Sequence, residues 1–242
     1  MGESLWYIAI GRKFNIVYDW IGRVDFVDKL LVRFHLHHEA DDVAMRFFNE
    51  HKEYDSMIVS SDDVLGTPDN VRMLLEDEEK NNFPVVSGWC NVLIDKPWAA
   101  VSMGANRQAI RTKVVRFEDY NFITVHDIIL AKYGYPYFKA WFTGMPLTLI
   151  KREVLEKFPL RPFRMHRDPI CHYALDKDIR EGRKARGVMQ DFQFACDCAV
   201  NKVPITIDAR IFLLHFGFMG LYLKIGEMPR SVEFVKATKT RK

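Results

Sequence analysis

The chain has 242 residues, 48% of them hydrophobic, four cysteines and a formal net charge of +3. That is enough apolar material for the core of one α/β domain, and too small a charge for composition to point to a nucleic-acid partner. No apolar run approaches the roughly 18 residues of a membrane span. The amino terminus has no signal-peptide layout, and Cys90, Cys171, Cys196 and Cys198 have no framework spacing. The expectation is a soluble, cytoplasmic protein of a reducing compartment.

Leu5 to Ile10 reads as a buried strand closed by Gly11-Arg12-Lys13. A strand-to-glycine turn near the start of an α/β protein often receives a nucleotide, although a lone glycine more often only makes a turn. Asn15 to Val27 follows as a helix and Lys29 to His38 as a second strand. A helical pattern from Ala40, with Asp41 and Asp42 in its first turn, leads on to Tyr54. Ser56 to Val59 is a third strand, and it runs into Ser60-Ser61-Asp62-Asp63. This alternation of strands and helices predicts a parallel, Rossmann-like sheet.

Thr67 and Pro68 are the cap and first turn of a helix whose Val71, Leu74 and Leu75 face the core. Val85 to Cys90 resumes as a strand with Gly88 near its end. Val114 to Phe117 and Phe122 to Val125 read as strands of an excursion, and Tyr133 to Phe138 as an aromatic loop. Trp141 to Ile150 is one strand-like run, followed by a helix from Lys151 to Phe158. Arg161 to Gly187 is a basic excursion that reads equally as a solvated loop or as a lid over a diphosphate. Asp191 opens a helix to Val200. Ile205 to Asp208 and Ile211 to Leu214 are strand-like and deliver His215. The terminal Lys236 to Lys242 is a short basic tail, either a solvated end or a contact for an anionic membrane surface.

Two acids at the carboxyl end of a strand stand where open α/β sheets bind ligands. They repel unless a cation, a shared proton or a basic partner lies between them. Asp62 and Asp63 therefore point to a divalent cation, Mn²⁺ or Mg²⁺, holding a diphosphate. A polar turn and an ordinary helix acid remain the plain readings of Asp62-Asp63 and of Asp191, and a satisfied strand-end histidine that of His215.

In this order, the acidic strand end, Thr143-Gly144 leading to Lys151-Arg152-Glu153, the segment from Gln190-Asp191 and the late His215 resemble nucleotide-sugar-dependent glycosyltransferases of the GT-A fold, family-2-like. The resemblance implies a single domain over residues 1–242: α/β, with a GT-A-like, Rossmann-type mixed, mostly parallel sheet flanked by helices. It implies that Ile10, Gly11, Arg12, Ser61, Asp62 and Gly144 meet the donor, and that Asp62, Asp63 and His215 hold the metal. Asp191 would be the general base of an inverting transfer, and the Lys151-Arg152-Glu153 helix start would line the donor-sugar pocket. The implied partners are a nucleotide-diphosphate sugar and a glycan, lipid or protein acceptor, with no nucleic acid, no transmembrane segment and peripheral membrane contact as an option. One departure stands out: Ser60 occupies the position of the first acid of Asp-x-Asp, which leaves a reduced motif. The alternatives are a sugar-phosphate nucleotidyltransferase, against which the sparse Gly11-Arg12-Lys13 counts, and a non-catalytic nucleotide-sugar-binding module.

Overall fold

The computed structural model describes residues 3–11, 15–33, 37–92, 97–105, 120–160, 190–216 and 230–239. Arg12, the expected strand at Val114 to Phe117 and the basic excursion of Arg161 to Gly187 lie outside the described residues.

The strands are β1 (Glu3–Ile10), β2 (Asp28–Arg33), β3 (Tyr54–Ser61), β4 (Val64–Leu65), β5 (Val85–Cys90), β6 (Trp98–Ala105), β7 (Tyr120–Thr124), β8 (Tyr137–Ala140), β9 (Phe142–Thr143), β10 (Leu147–Lys151), β11 (Ile205–His215) and β12 (Ser231–Val235). The helices are α1 (Asn15–Arg23), α2 (His37–Glu50), α3 (Pro68–Asn81), α4 (Val125–Tyr133), α5 (Arg152–Lys157) and α6 (Gln190–Val200). Nine strands form one sheet in the order β12-β2-β1-β3-β10-β5-β11-β4, with β8 also on β11. At its centre β2, β1, β3, β5 and β11 run one way and β10 runs against them. A small second sheet, β7-β6-β9, accompanies it. This is the expected α/β class: a mixed, mostly parallel sheet flanked by helices.

Both faces of the sheet are covered, which is why β1 reads as an unbroken apolar run. Leu5 and Tyr7 point to one face with Ala44, Met45 and Phe48 of α2, Leu155 of α5 and Phe194 of α6. Trp6, Ile8 and Ile10 point to the other, with Val17 and Trp20 of α1 and Leu74 of α3. The start of α3 is as the sequence predicts: Thr67 and Asn70 form a reciprocal capping box, with Pro68 in the first turn.

Four expectations change. The second strand ends at Arg33, five residues short, because Arg33 pairs with Ile10 and Ser231 at the ends of both neighbouring strands. Beyond that point no ladder is described, and His37 already opens α2. The run from Trp141 to Ile150 is divided between two sheets, with Met145 at φ 48° in the break. The two late strands are one, β11, in which Asp208 to Ile211 stand opposite Gly88 alone. A Cβ on Gly88 would lie 2.6 Å from Ile211 Cγ2 and 2.8 Å from its carbonyl oxygen, so this bulge requires glycine there. Finally, Val125 continues from β7 into helix α4, capped by Thr124, rather than ending a strand.

Two charged clusters pin these irregular parts. Arg152 donates to the carbonyls of Tyr54 (2.7 Å), Phe48 (3.0 Å) and His51 (2.8 Å), closing the carboxyl end of α2, and its guanidinium stacks on Phe48. At the β11 bulge Arg210 donates to Asp208 and to Asp77 Oδ1 (2.9 Å), and the Tyr137 hydroxyl donates to the same Asp77 oxygen (2.6 Å). Burial, then the hydrogen bond and charge of Asp208, push the Asp77 carboxyl up to about 7.

Arg152→Ala leaves three carbonyls without their charged donor and is expected to cost about 3 kcal/mol of stability, read by denaturant unfolding. The folded protein holds a proton on Asp77 that the unfolded chain releases at its ordinary value near 3.8, so stability contributed by this group is full below about pH 4 and is lost as pH rises through about 7. Asp77→Asn removes that titration. Its melting temperature is expected to fall less than that of the wild type between pH 4 and pH 7 in a thermal melt series.

Candidate functional site

Four strand ends, one break between strands and one helix start build the site: the carboxyl ends of β1, β3, β5 and β11, the break between β9 and β10, and the first turn of α6. Asp62 and Asp63 follow β3 directly and are both buried. They are consecutive and turn to different partners. Asp62 Oδ2 accepts the Gly11 N–H at 2.8 Å, which ties the end of β3 to the turn after β1. Asp63 accepts the Ser61 hydroxyl through Oδ1, and its Oδ2 stands 3.2 Å from His215 Nε2.

His215 is brought there by β4, which pairs with the end of β11 through Val64↔His215 and Leu65↔Leu214. The Phe216 N–H donates to the Asp63 carbonyl at 2.8 Å. His215 Nδ1 lies 3.2 Å from the Val92 carbonyl oxygen. The Val92 carbonyl and the Asp63 carboxylate both only accept, so a neutral ring donates to one of them and turns a lone pair to the other. Both contacts are favourable at once with a positive centre, either a second proton on the ring or, with Nδ1 donating to Val92, a cation between Nε2 and Asp63.

Asp191 is buried in the first turn of α6, where the helix dipole favours an anion. A Cβ on Gly144 would come within 3.9 Å of Asp191 Oδ2, and the Gly144 N–H donates to Ala100 at 3.1 Å. Cys90, at the end of β5, joins the two halves. Burial pushes its thiol well above the ordinary range, and the charges of Asp63 and Asp191 both add to that. Asp63 and Asp191 therefore lie around one strand end.

The structure thus brings Gly11, Ser61, Asp62, Asp63, Gly144, Asp191 and His215 to one edge. The Ile10 side chain lies in the core on the Trp6 face, directly before Gly11. Two sequence expectations need correction. Ser60 is also turned into the protein, where its hydroxyl accepts the Trp6 indole N–H at 2.8 Å, so it is no remnant of a metal ligand. The Lys151-Arg152-Glu153 segment lies at the opposite edge. β10 is antiparallel to β3 and pairs Lys151 with Ser56, so its end sits beside the start of β3, a strand about 23 Å long. That segment closes α2 and does not line a donor pocket.

Sequence reasoning missed Asp41. It reads as a first-turn acid, but it is fully buried and lies below the sheet face beside Asp191. The signal was its spacing: Asp41 shares a helical stripe with Ala44, Met45 and Phe48 at three, four and seven residues on.

Among the described residues no group of three His, Cys, Asp or Glu side chains stands together as a ready-made metal cage. No described helix is long and apolar enough to cross a membrane. No family model matches the chain, and no curated protein matches it. Solved structures similar to it include A197 from STIV, at 17% identity and TM-score 0.49, covering 99% of this chain and 97% of that one. CMP:2-keto-3-deoxy-manno-octonic acid synthetase complexed with CTP shares 12% identity at TM-score 0.45, over 91% and 93% of the two chains. The inositol-1-phosphate CTP transferase from T. maritima shares 9% at TM-score 0.41, over 89% of each. Similarity at this level assigns no activity to the chain, whose fold class rests on its own sheet.

Asp62→Ala removes the acceptor of the Gly11 N–H. Hydrogen exchange at the Gly11 amide is expected to quicken about tenfold or more, as befits the loss of a charge-assisted bond, while amides inside β1 keep their protection.

Proposed function

We propose that the chain is a nucleotide-sugar-dependent transferase that moves a glycosyl group to an acceptor hydroxyl. The observation that carries the reading is the Asp63–His215 contact, 3.2 Å between a carboxylate oxygen and an imidazole nitrogen that can both face one cation when Nδ1 donates to the Val92 carbonyl. Neighbouring ligands of one small divalent ion, each bonded at about 2.1 Å, stand on the order of 3 Å apart. The donor set fits such an ion, and its imidazole suits Mn²⁺ better than Mg²⁺. Asp63 and His215 would hold it, with diphosphate oxygens and water as the remaining ligands. Bound there, the ion supplies positive charge opposite the diphosphate as it departs.

The chain's own residues do the rest. Asp62 fixes the Gly11 turn, so the floor under the nucleotide is set before the donor arrives. Gly144 leaves room beside Asp191 that a side chain would fill. Asp191 takes the proton of the acceptor hydroxyl as its oxygen attacks the anomeric carbon and the bond to the diphosphate breaks, which inverts configuration. Val92 keeps the imidazole oriented as a ligand, the role such outer partners commonly have.

Nucleotidyl transfer is the second reading, because the same acids would hold a metal-bound triphosphate. It ranks lower on this chain because only Gly11 to Phe14 separate β1 from α1, with one glycine among them. That segment offers little backbone to wrap a triphosphate.

A thermal-shift screen of nucleoside diphosphates, their sugars and nucleoside triphosphates, each with and without Mn²⁺, tests the proposal. A ligand at a hundred times its Kd stabilises by about 2.7 kcal/mol. The expected pattern is stabilisation by a nucleoside diphosphate or its sugar that grows with Mn²⁺, with the Mn²⁺ increment lost in both Asp63→Ala and His215→Ala. Release of pyrophosphate from a triphosphate and a sugar phosphate would overturn glycosyl transfer in favour of the second reading.

A further inference from the structure

Asp41 is a buried acid that the transfer step above does not use. It is walled in on α2, and its surroundings come from three elements. From β1, the Tyr7 hydroxyl donates to Asp41 Oδ1 at 3.0 Å, both side chains being buried. From α6, the Gln190 amide lies against the carboxylate, and the orientation that satisfies both groups is the one in which its nitrogen donates to Asp41. Among the described residues, the charges that bear on Asp41 are Asp42 on its own helix and Asp191 on α6, both negative. Gln190 is the residue next to Asp191, so the clamp on Asp41 is also the clamp on the first turn of α6.

We propose that Asp41 is the positioning residue for Asp191: held between Tyr7 and Gln190, it fixes the start of α6 and couples its own charge to the acid beside it. The inference rests on the reading of Asp191 as the base. A buried carboxyl with two donors and two like charges around it is an uncommon choice for a merely structural role, since an amide or an apolar residue would fill the place without a charge to bury. Burial first, then the charges of Asp42 and Asp191, hold Asp41 up at about 7, against the opposing hydrogen bond from Tyr7. Around neutrality its ionisation therefore switches. A charge gained on Asp41 acts on the carboxylate beside it, and an acceptor step that uses that carboxylate gains a pH dependence through Asp41.

Carboxyl-carbon NMR of aspartate-labelled protein, with resonances assigned by Asp41→Asn and Asp191→Asn, tests the coupling without any substrate. In the wild type Asp41 is expected to titrate near 7, and in Asp191→Asn about half a unit or more lower. An Asp41 midpoint unmoved by Asp191→Asn overturns the proposal. The second measurement is turnover. Asp41→Asn keeps the size of the side chain and an acceptor for Tyr7. It is expected to retain the wild-type melting temperature at low pH and the KM for donor, to lose the rise in kcat through about pH 7, and to turn over severalfold more slowly above it. A purely structural Asp41 gives the opposite pattern: a lowered melting temperature with the shape of the pH profile unchanged. If the wild-type protein transfers no sugar from any donor, it is the glycosyl-transfer reading that fails, while the NMR titration still decides whether Asp41 and Asp191 are coupled.

Discussion

The site depends on a short clasp: β4, two residues long, pairing with the last two residues of β11. Without it His215 is only the end of a strand next to β5. With it, Val64 and Leu65 hold that end over the turn after β3, and the Phe216 N–H takes the Asp63 carbonyl. The clasp sets conditions far along the chain. β11 reaches β4 only because it absorbs extra residues opposite Gly88, and the Trp89 indole N–H steadies the bulge through the Ala209 carbonyl at 3.0 Å. The turn after β4 has its own constraint at Gly66, where a Cβ would lie 2.9 Å from Trp20 and 3.1 Å from Leu213. Two glycines and a bulge thus serve one contact, that between Asp63 and His215.

The way the buried acids are held separates them by task. Asp28 takes Lys236, the Tyr54 hydroxyl and the Ala237 N–H, and so ties the chain's last strand to β2 and β3. Asp208 and Asp77 share Arg210, Asp77 also accepts the Tyr137 hydroxyl, and together they shape the β11 bulge. The contacts of Asp62 and Asp63 include a backbone N–H, a hydroxyl and an imidazole, and those of Asp41 a phenol. A carboxylate gripped by arginine, as Asp208 is, is committed to that partner, because separating a buried ion pair is costly.

Much of this was legible in the sequence, and the rest was not for physical reasons. β1, β5 and α3 could be read because their signals are local: a run of apolar residues, a bounded strand and a capping pair. The end of β2 was illegible, since what stops it is the length of the ladder its neighbours offer. The division at Gly144 was illegible because two sheets claim one apolar run. Lys151-Arg152-Glu153 was misplaced for a related reason: only the antiparallel direction of β10, a tertiary fact, puts it at the far edge. The acids at the end of β3, Asp191 and His215 could be placed on their elements from sequence, because strand ends and helix starts announce their positions. Asp41 was legible in its spacing and was overlooked because an acid early in a helix has an easier explanation.

Ser60 shows most clearly how geometry reassigns a motif. Along β3 the side chains alternate, with Met57 and Val59 on the Tyr7 face and Ile58 and Ser60 on the Trp6 face. An acid at position 60 would put its charge beside Trp6, Ile8 and Trp20, where it has only an indole to meet it. The strand ends at Ser61, and past that point alternation no longer binds the chain. Asp62 and Asp63 can then point apart, toward strands on opposite sides of β3. In the sheet order β1 is the immediate neighbour on one side, while β11 lies beyond β10 and β5 on the other. One acid therefore secures the turn after β1 through the Gly11 N–H, and the next reaches His215 at the end of β11. Adjacent acids are suited to this arrangement as an alternating pair is not, because two acids separated by one residue on a strand would face the same side and compete for the same partner.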